Sequence, residues 1–186
     1  MSWITNWKKN NKKSYSWKYI DRACKVIARE CIDREPQPIK RIVAMSRGGL
    51  PPAVILANYM DIREVISVGV RSYETKTDGS LDIQPPVVYQ DAWHSCPVIA
   101  RGEPILLVDD ISDKGTTFQY VIDKLRDSTS SVIQTASIFI KDRTQYRPDY
   151  FYTNLPDSQW VEFPWEQKKL TTTAPQAPAK PPLTYR

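Results

Sequence analysis

An alternation of apolar strands with helical segments constrains the fold of this chain more than any other feature of its sequence. Residues 39–45 are predicted as a short buried strand, residues 50–60 have helical spacing, and residues 65–70 are rich in β-branched side chains. The pattern returns later in the chain as a strand, a helix and a strand at 105–108, 116–126 and 132–140. Strands that alternate with helices form a parallel sheet with helices packed on it. The sequence therefore predicts an α/β domain.

A further helix is predicted before the first strand. Its core face is marked by side chains that recur every three or four residues: Trp17, Ile20, Cys24, Ile27 and Cys31. Ser16 is suited to cap the first turn, and Pro36 and Pro38 are expected to close the helix. The third cysteine, Cys96, forms no CxxC pair, so the sequence indicates neither a disulfide framework nor a zinc site.

Length and composition describe one soluble domain with two flanking segments. The chain has 186 residues, of which 41% are hydrophobic and 25% charged, and no apolar run approaches the roughly 20 residues of a membrane span. The N-terminus lacks the apolar stretch of a secretory signal, so we expect a cytoplasmic protein. We divide the chain into a basic N-terminal arm (1–15), a central domain (16–168) and a proline-rich tail (169–186).

The segment between the two strand and helix units has no clear periodicity. Residues 74–103 contain Pro85, Pro86 and Pro97 and a polar turn around Gly79. A connection of this length without secondary structure is uncommon in a compact domain and is often functional. We therefore predict a mobile lid here.

The segment from Ile105 to Thr117 carries the candidate chemistry. A buried strand runs out into Asp109 and Asp110, and a third acid, Asp113, precedes a turn that opens a helix. Unpaired amides at a helix N-terminus bind phosphate, which suggests a phosphate site made of Lys114, Gly115, Thr116 and Thr117. Carboxylates at the carboxyl edge of such a sheet bind ribose hydroxyls or hydrated Mg²⁺. The simpler interpretation is a Walker-B-like strand end or a plain capped turn, because an apolar run that ends in two aspartates is common.

The same segment resembles the phosphoribosyl pyrophosphate motif of the type I phosphoribosyltransferases. Residues 45–50 are similar to the pyrophosphate loop of the bacterial xanthine-guanine branch of that family, and Ser72-Tyr73 is similar to the dipeptide that opens its flexible catalytic loop. Residues 138–141 and 160–165 are similar to its purine-binding elements. A triphosphatase would instead need a GxxxxGK[ST] motif, and no lysine follows Gly48-Gly49.

The resemblance implies a role for each matching residue. Asp113 would be the catalytic general base, Lys141, Trp160 and Val161 would bind the base, and Mg²⁺ would be held by Asp110 and Glu162. Phosphoribosyl pyrophosphate would be bound by Arg47, Gly48, Asp109, Asp110, Lys114, Gly115, Thr116 and Thr117. Lys114 stands where many relatives have threonine. The family also implies a non-proline cis bond at Ser46-Arg47, a small hood built from both chain ends, and a homo-oligomer, dimeric or tetrameric.

These expectations describe the transfer of a phosphoribosyl group to a 6-oxopurine. The ammonium group of Lys141 can donate a hydrogen bond to a 6-oxo group, but it cannot accept one from the 6-amino group of adenine. Two alternatives stay open. The net charge of +5 and pI near 9.0 permit a regulatory RNA-binding protein with this fold, and the phosphate motif alone permits a different base. The purine-type elements favour the enzyme over nucleic-acid binding, and we interpret the aromatic, basic arm as a subunit-docking segment.

Overall fold

The computed structural model describes residues 11–75, 81–91 and 102–166. Most of the predicted arm, all of the predicted tail and parts of the predicted lid lie outside these residues. The first half of the described chain contains β1 (Lys12–Ser14), α1 (Trp17–Arg34), β2 (Arg41–Ser46), α2 (Leu50–Tyr59) and β3 (Glu64–Thr75). The second contains β4 (Leu81–Asp91), β5 (Ile105–Ser112), α3 (Thr116–Arg126), β6 (Ile133–Lys141), β7 (Tyr150–Leu155) and β8 (Trp160–Glu162).

Six strands form the central sheet, in the order β4-β3-β2-β5-β6-β7. All neighbouring pairs are parallel except β3 with β4. The chain leaves β2 toward β3 on one side and later returns to β5 on the other side, so the strand order reverses between β2 and β5. In open α/β sheets ligands bind at this switch point, outside the carboxyl ends of the strands. The predicted fold class is confirmed.

Both faces of the sheet are covered by helices, because side chains alternate along each strand. Ile42 and Ala44 of β2 are completely buried in the cluster that includes α1 and α2. Their neighbours Val43 and Met45 pack into a second cluster, which contains Phe118 of α3. A strand buried on both faces explains why residues 39–45 are almost continuously apolar.

Helix α1 follows its sequence pattern closely. The Ser16 hydroxyl accepts a hydrogen bond from the Tyr19 amide at 3.3 Å, as predicted for the N-cap. Cys24 and Cys31 are 0% and 1% exposed, and burial raises the pKa of each thiol to about 12. These cysteines are therefore inert core residues, as the spacing indicates.

The prediction of an irregular lid from residue 74 is wrong for its first part. Strand β3 continues to Thr75, and β4 pairs with it antiparallel at the edge of the sheet. Pro85 and Pro86 are tolerated in β4 because an edge strand has one side without ladder partners, and the pairing shifts register nearby. Ser72 and Tyr73 consequently lie within β3 rather than at the start of a loop. Residues 76–80 and 92–101 lie outside the described part.

A second correction concerns residues 109–113, called the acidic segment below. The sequence predicted that strand structure ends at Val108, but β5 extends to Ser112. The extension is explained by β6, which pairs Asp109 with Ser137 and Ile111 with Phe139. Asp109 and Asp110 are therefore held by the sheet, which fixes their backbone more firmly than a loop would.

The hood joins both ends of the described chain. Strand β1 pairs in parallel with β8, with Lys12 opposite Trp160 and Ser14 opposite Glu162. The Tyr15 amide donates to the Glu162 carbonyl at 3.1 Å, so the predicted hood is confirmed for this pair of strands. No described helix is long and apolar enough to cross a membrane.

Candidate active site

Two loops meet at the switch point of the sheet. One follows β2 and contains Arg47, Gly48 and Gly49, and the Ser46-Arg47 peptide bond within it is cis, as predicted. The other follows β5. A methyl group on Gly48 would lie only 2.2 Å from Oδ2 of Asp110, so the backbone of the first loop touches the carboxylate at the start of the second. Arg47 and Gly48 are thereby brought together with Asp110.

We expect Gly48→Ala to lower kcat/KM about 10- to 100-fold, the scale on which a misplaced catalytic or binding group costs activity. The added methyl group would push away the Asp110 carboxylate, which is the end of a side chain and can move, so the melting temperature should change little. Gly102→Ala is the control for kcat/KM only: its methyl group would meet nothing within 4 Å, but the φ of 73° strains any side chain there, so this variant should lower the melting temperature without touching the site. Equal kcat/KM in Gly48→Ala and the wild type would contradict this role for the close approach.

Asp109 and Asp110 form a half-buried pair of carboxylates. The Asp110 amide donates to Oδ1 of Asp109 at 2.9 Å. Burial, followed by the charge of Asp110, raises the pKa of Asp109 well above its usual range. Burial, followed by the charge of Glu166, raises the pKa of Asp110 to about 7. Because partial burial disfavours the charged form of both carboxylates, a cation or hydroxyl donors from a ligand would stabilise the ionised pair.

Among the described residues, a metal ion would find few carboxylates at this site. In the described part of the chain no three histidine, cysteine or acidic side chains converge as a metal cluster. Mg²⁺ is commonly held by one or two carboxylates together with substrate phosphates. Asp110 suits that mode, since its pKa is raised first by burial and then by the negative charge of Glu166, both of which a cation would offset. Sequence reasoning missed Glu166. Glu162, which we predicted as a ligand, pairs with Lys12 and accepts from Ser14.

The phosphate loop leads directly into α3. Gly115 precedes the helix with a φ of 82°, and a methyl group there would lie 2.4 Å from the Tyr146 amide nitrogen, so glycine is required on both grounds. Thr116 and Thr117 occupy the first turn of the helix, where backbone amides lack intrahelical acceptors. Lys114 is exposed, and its carbonyl accepts from the Gln145 amide at 2.9 Å.

Asp113 is bound by an arginine that the sequence reasoning missed. Arg143 donates from Nε to Oδ1 at 3.0 Å and from Nη2 to Oδ1 and Oδ2 at 2.5 and 2.6 Å. Arg143 lies two residues after the end of β6, which pairs in parallel with β5. A basic residue just after Lys141 was therefore the sequence signal that could have indicated a partner for Asp113. The carboxyl ends of adjacent parallel strands meet at one sheet edge.

Lys141, the last residue of β6, connects the sheet to the hood. It is only 4% exposed, and its amine donates to the carbonyl of Pro156 at 3.1 Å and to that of Gln159. Burial is the main cause that lowers the pKa of Lys141. These two contacts use two of the three donors of an ammonium group and fix the loop that leads to Trp160.

The predicted base-binding residues of the hood differ in exposure. Trp160 is 39% exposed, whereas the next residue, Val161, is 7% exposed. An aromatic ring that keeps an exposed surface can stack on a planar ligand. The structure thus places the Lys141 amine against the loop of residues 156–159 and Trp160 at the end of that loop, while Val161 anchors β8 in the core.

The comparisons with known proteins agree with this geometry. Residues 14–169 match the family described as phosphoribosyl transferase domain. The xanthine-guanine phosphoribosyltransferase of Idiomarina loihiensis is 30% identical over 161 residues, which cover 86% of this chain and 90% of that protein. The counterpart from Gluconobacter oxydans is 30% identical over 158 residues, or 83% of this chain and 84% of that protein.

Solved structures give the same result. The purine phosphoribosyltransferase from Pyrococcus horikoshii superposes with a TM-score of 0.66 at 25% identity, covering 88% of this chain and 99% of that one. The Helicobacter pylori xanthine-guanine-hypoxanthine phosphoribosyltransferase gives a TM-score of 0.63 at 25% identity, covering 84% and 94%. Since the family match spans most of its length, this chain belongs to the phosphoribosyl transferase domain family.

Proposed function

We propose that this protein transfers the phosphoribosyl group of phosphoribosyl pyrophosphate to a 6-oxopurine and releases diphosphate. The observation that carries the proposal is the convergence of the loop after β2 with the acidic segment of β5 at the switch point, where Gly48 touches Asp110. Lys141 ends the next strand, β6, on the same edge. The names of the relatives, xanthine-guanine phosphoribosyltransferases, support the same substrates.

Phosphoribosyl pyrophosphate would be bound by both positive and negative groups along the carboxyl edge of the sheet. The amides and hydroxyls of Thr116 and Thr117, at the positive end of α3, suit the 5′-phosphate. Asp109 and Asp110 suit the ribose hydroxyls, because an ionised carboxylate has acceptors only, and hydroxyl donors would favour the ionised form against the raised pKa of each. Arg47 would bind the leaving diphosphate through its guanidinium fork.

The chemistry requires stabilisation of a positively charged ribosyl centre as the diphosphate leaves. Asp113 would accept the proton at N7 of the purine as general base, while the surrounding carboxylates favour the developing positive charge. Lys141 would donate its third hydrogen bond to the 6-oxo group, and Trp160 would stack on the ring. Excluding water from the closed site would protect the ribosyl cation.

Bound Mg²⁺ would neutralise charge on the diphosphate. We propose Asp110 as the side chain that would hold it, with Glu166 nearby. Glu162, the second ligand that the family resemblance implies, would first have to leave Lys12 and Ser14. A Mg²⁺ ion that is bound mainly through substrate phosphates needs only one or two protein carboxylates. The loops after β2 and β5 would provide such a carboxylate next to the phosphate site.

The proposal is tested by incubating the protein with phosphoribosyl pyrophosphate and one base at a time, with and without Mg²⁺. We expect nucleotide formation with guanine, xanthine or hypoxanthine and not with adenine or a pyrimidine. Removing Mg²⁺ with excess chelator should reduce turnover at least about tenfold, because metal ions contribute several kcal/mol to such charge stabilisation. Full activity in chelator would remove the metal from the mechanism. Turnover of a pyrimidine alone would favour the alternative base specificity.

Assembly is a separate proposal. We propose that the protein is a homo-oligomer, dimeric or tetrameric, in line with the family resemblance. Size-exclusion chromatography with light scattering measures the mass directly, and a monomer at micromolar concentration would contradict the proposal.

A further inference from the structure

The side chain of Arg143 is the clearest feature of the site to which the sequence gives no role. Its guanidinium forks over the Asp113 carboxylate with the three hydrogen bonds described above, all of 3.0 Å or less. Both side chains are 44% exposed. An ion pair this exposed contributes little to stability, about 0–1 kcal/mol, so its geometry calls for another explanation.

The backbone around Arg143 is itself held in place. Its amide donates to Oδ1 of Asp157 at 2.9 Å. Asp157 lies in the loop of residues 156–159 between β7 and β8, called the hood loop below. The Thr144 amide donates to the Lys141 carbonyl at 3.0 Å, which closes a turn with Arg143 at its corner. The Ser112 hydroxyl, from the end of β5, donates to the Tyr146 carbonyl at 2.8 Å. The arginine is therefore fixed relative to both the hood and the acidic segment.

We infer that Arg143 is a positioning residue for the reaction: it holds the Asp113 carboxylate in the orientation in which Asp113 meets the purine. This inference rests on the proposed function. Catalytic bases are commonly oriented by a third group that hydrogen-bonds to them. A guanidinium fork fixes the plane of a carboxylate, whereas a lysine amine would fix only a point.

The arrangement leaves Asp113 able to act. Oδ1 accepts two hydrogen bonds from Arg143 and Oδ2 accepts one, while an ionised carboxylate has about four acceptor sites. Oδ2 therefore keeps a position for the purine N–H. Asp113 and Lys141 also lie close enough to interact electrostatically, at the carboxyl ends of the neighbouring strands β5 and β6.

The test compares Arg143→Ala and Arg143→Lys with the wild type and with Arg29→Ala. Arg29 is a matched control because it pairs with Asp33 at 2.9 Å on α1, with exposed fractions of 77% and 52%. We expect Arg143→Ala to lower kcat about tenfold or more, because small misplacements of a reacting group cost up to about 10²-fold. KM for both substrates should change less than about twofold, and Arg143→Lys should be intermediate. Added guanidinium at non-denaturing concentration should restore part of the lost kcat in Arg143→Ala only.

A double-mutant cycle separates positioning from a purely structural role. If Arg143 acts through Asp113, then Arg143→Ala should have little further effect on kcat in an Asp113→Asn background. Wild-type kcat in Arg143→Ala, or additive losses in the double variant, would overturn the inference while leaving the proposed function intact. Absence of wild-type turnover with every base would overturn the proposed function and the inference with it.

Discussion

Asp113→Asn is expected to lower kcat by about 10² or more, the scale on which a lost general base reduces a rate. The amide has nearly the shape of the carboxylate but cannot take up the proton from the purine. Arg143 would still contact the amide oxygen, so the loop should stay in place. Affinity for phosphoribosyl pyrophosphate should be close to that of the wild type, because Asp113 is not assigned to the donor.

Two measurements are needed for this variant. Steady-state assays give kcat, and calorimetric titration with phosphoribosyl pyrophosphate gives donor affinity. Asp33→Asn is the matched control, since Asp33 also pairs with an exposed arginine but lies on α1, where no site residue is assigned. Unchanged kcat in Asp113→Asn would remove Asp113 from the role of base, whereas a loss confined to donor affinity would reassign it to phosphoribosyl binding.

Local periodicity was enough to predict most of the sheet. The apolar run at 39–45 gave β2 to within two residues, and the face marked by Ile20, Cys24 and Ile27 gave α1 together with its cap. The turn that opens α3 was also predicted, and the structure places Gly115 directly before that helix with a φ of 82°. These features depend on neighbours in the sequence, which explains why they can be seen without the structure.

Features that depend on pairing between distant segments could not be predicted in this way. Polar Asp109 and Asp110 belong to β5 because β6 pairs with them, and the prolines of β4 are tolerated because that strand is at an edge. The contact of Arg143 with Asp113 joins residues 30 positions apart. Their proximity follows from strand order, which the sequence pattern does not specify.

Lys141→Met is expected to lower kcat/KM for 6-oxopurines about 10²-fold. The change keeps the length of the side chain but removes every donor. The carbonyls of Pro156 and Gln159 would lose their partner, and the loop before Trp160 would be held less firmly. The 6-oxo group would lose a charged donor, and a hydrogen bond to a charged group is worth about 1.5–3 kcal/mol. Lys124→Met, on the exposed side of α3, is the control.

The two roles of Lys141 can be separated by the choice of base. Hypoxanthine has a 6-oxo group and unsubstituted purine has none, so only hypoxanthine can accept from the lysine. If Lys141 recognises the base, the ratio of kcat/KM for hypoxanthine to that for purine should fall about tenfold or more in Lys141→Met, as expected for one charged hydrogen bond. If the lysine only holds the hood loop, both bases lose activity equally and the ratio stays constant. A constant ratio would therefore limit Lys141 to supporting the loop that carries Trp160, and base selection would have to come from other groups.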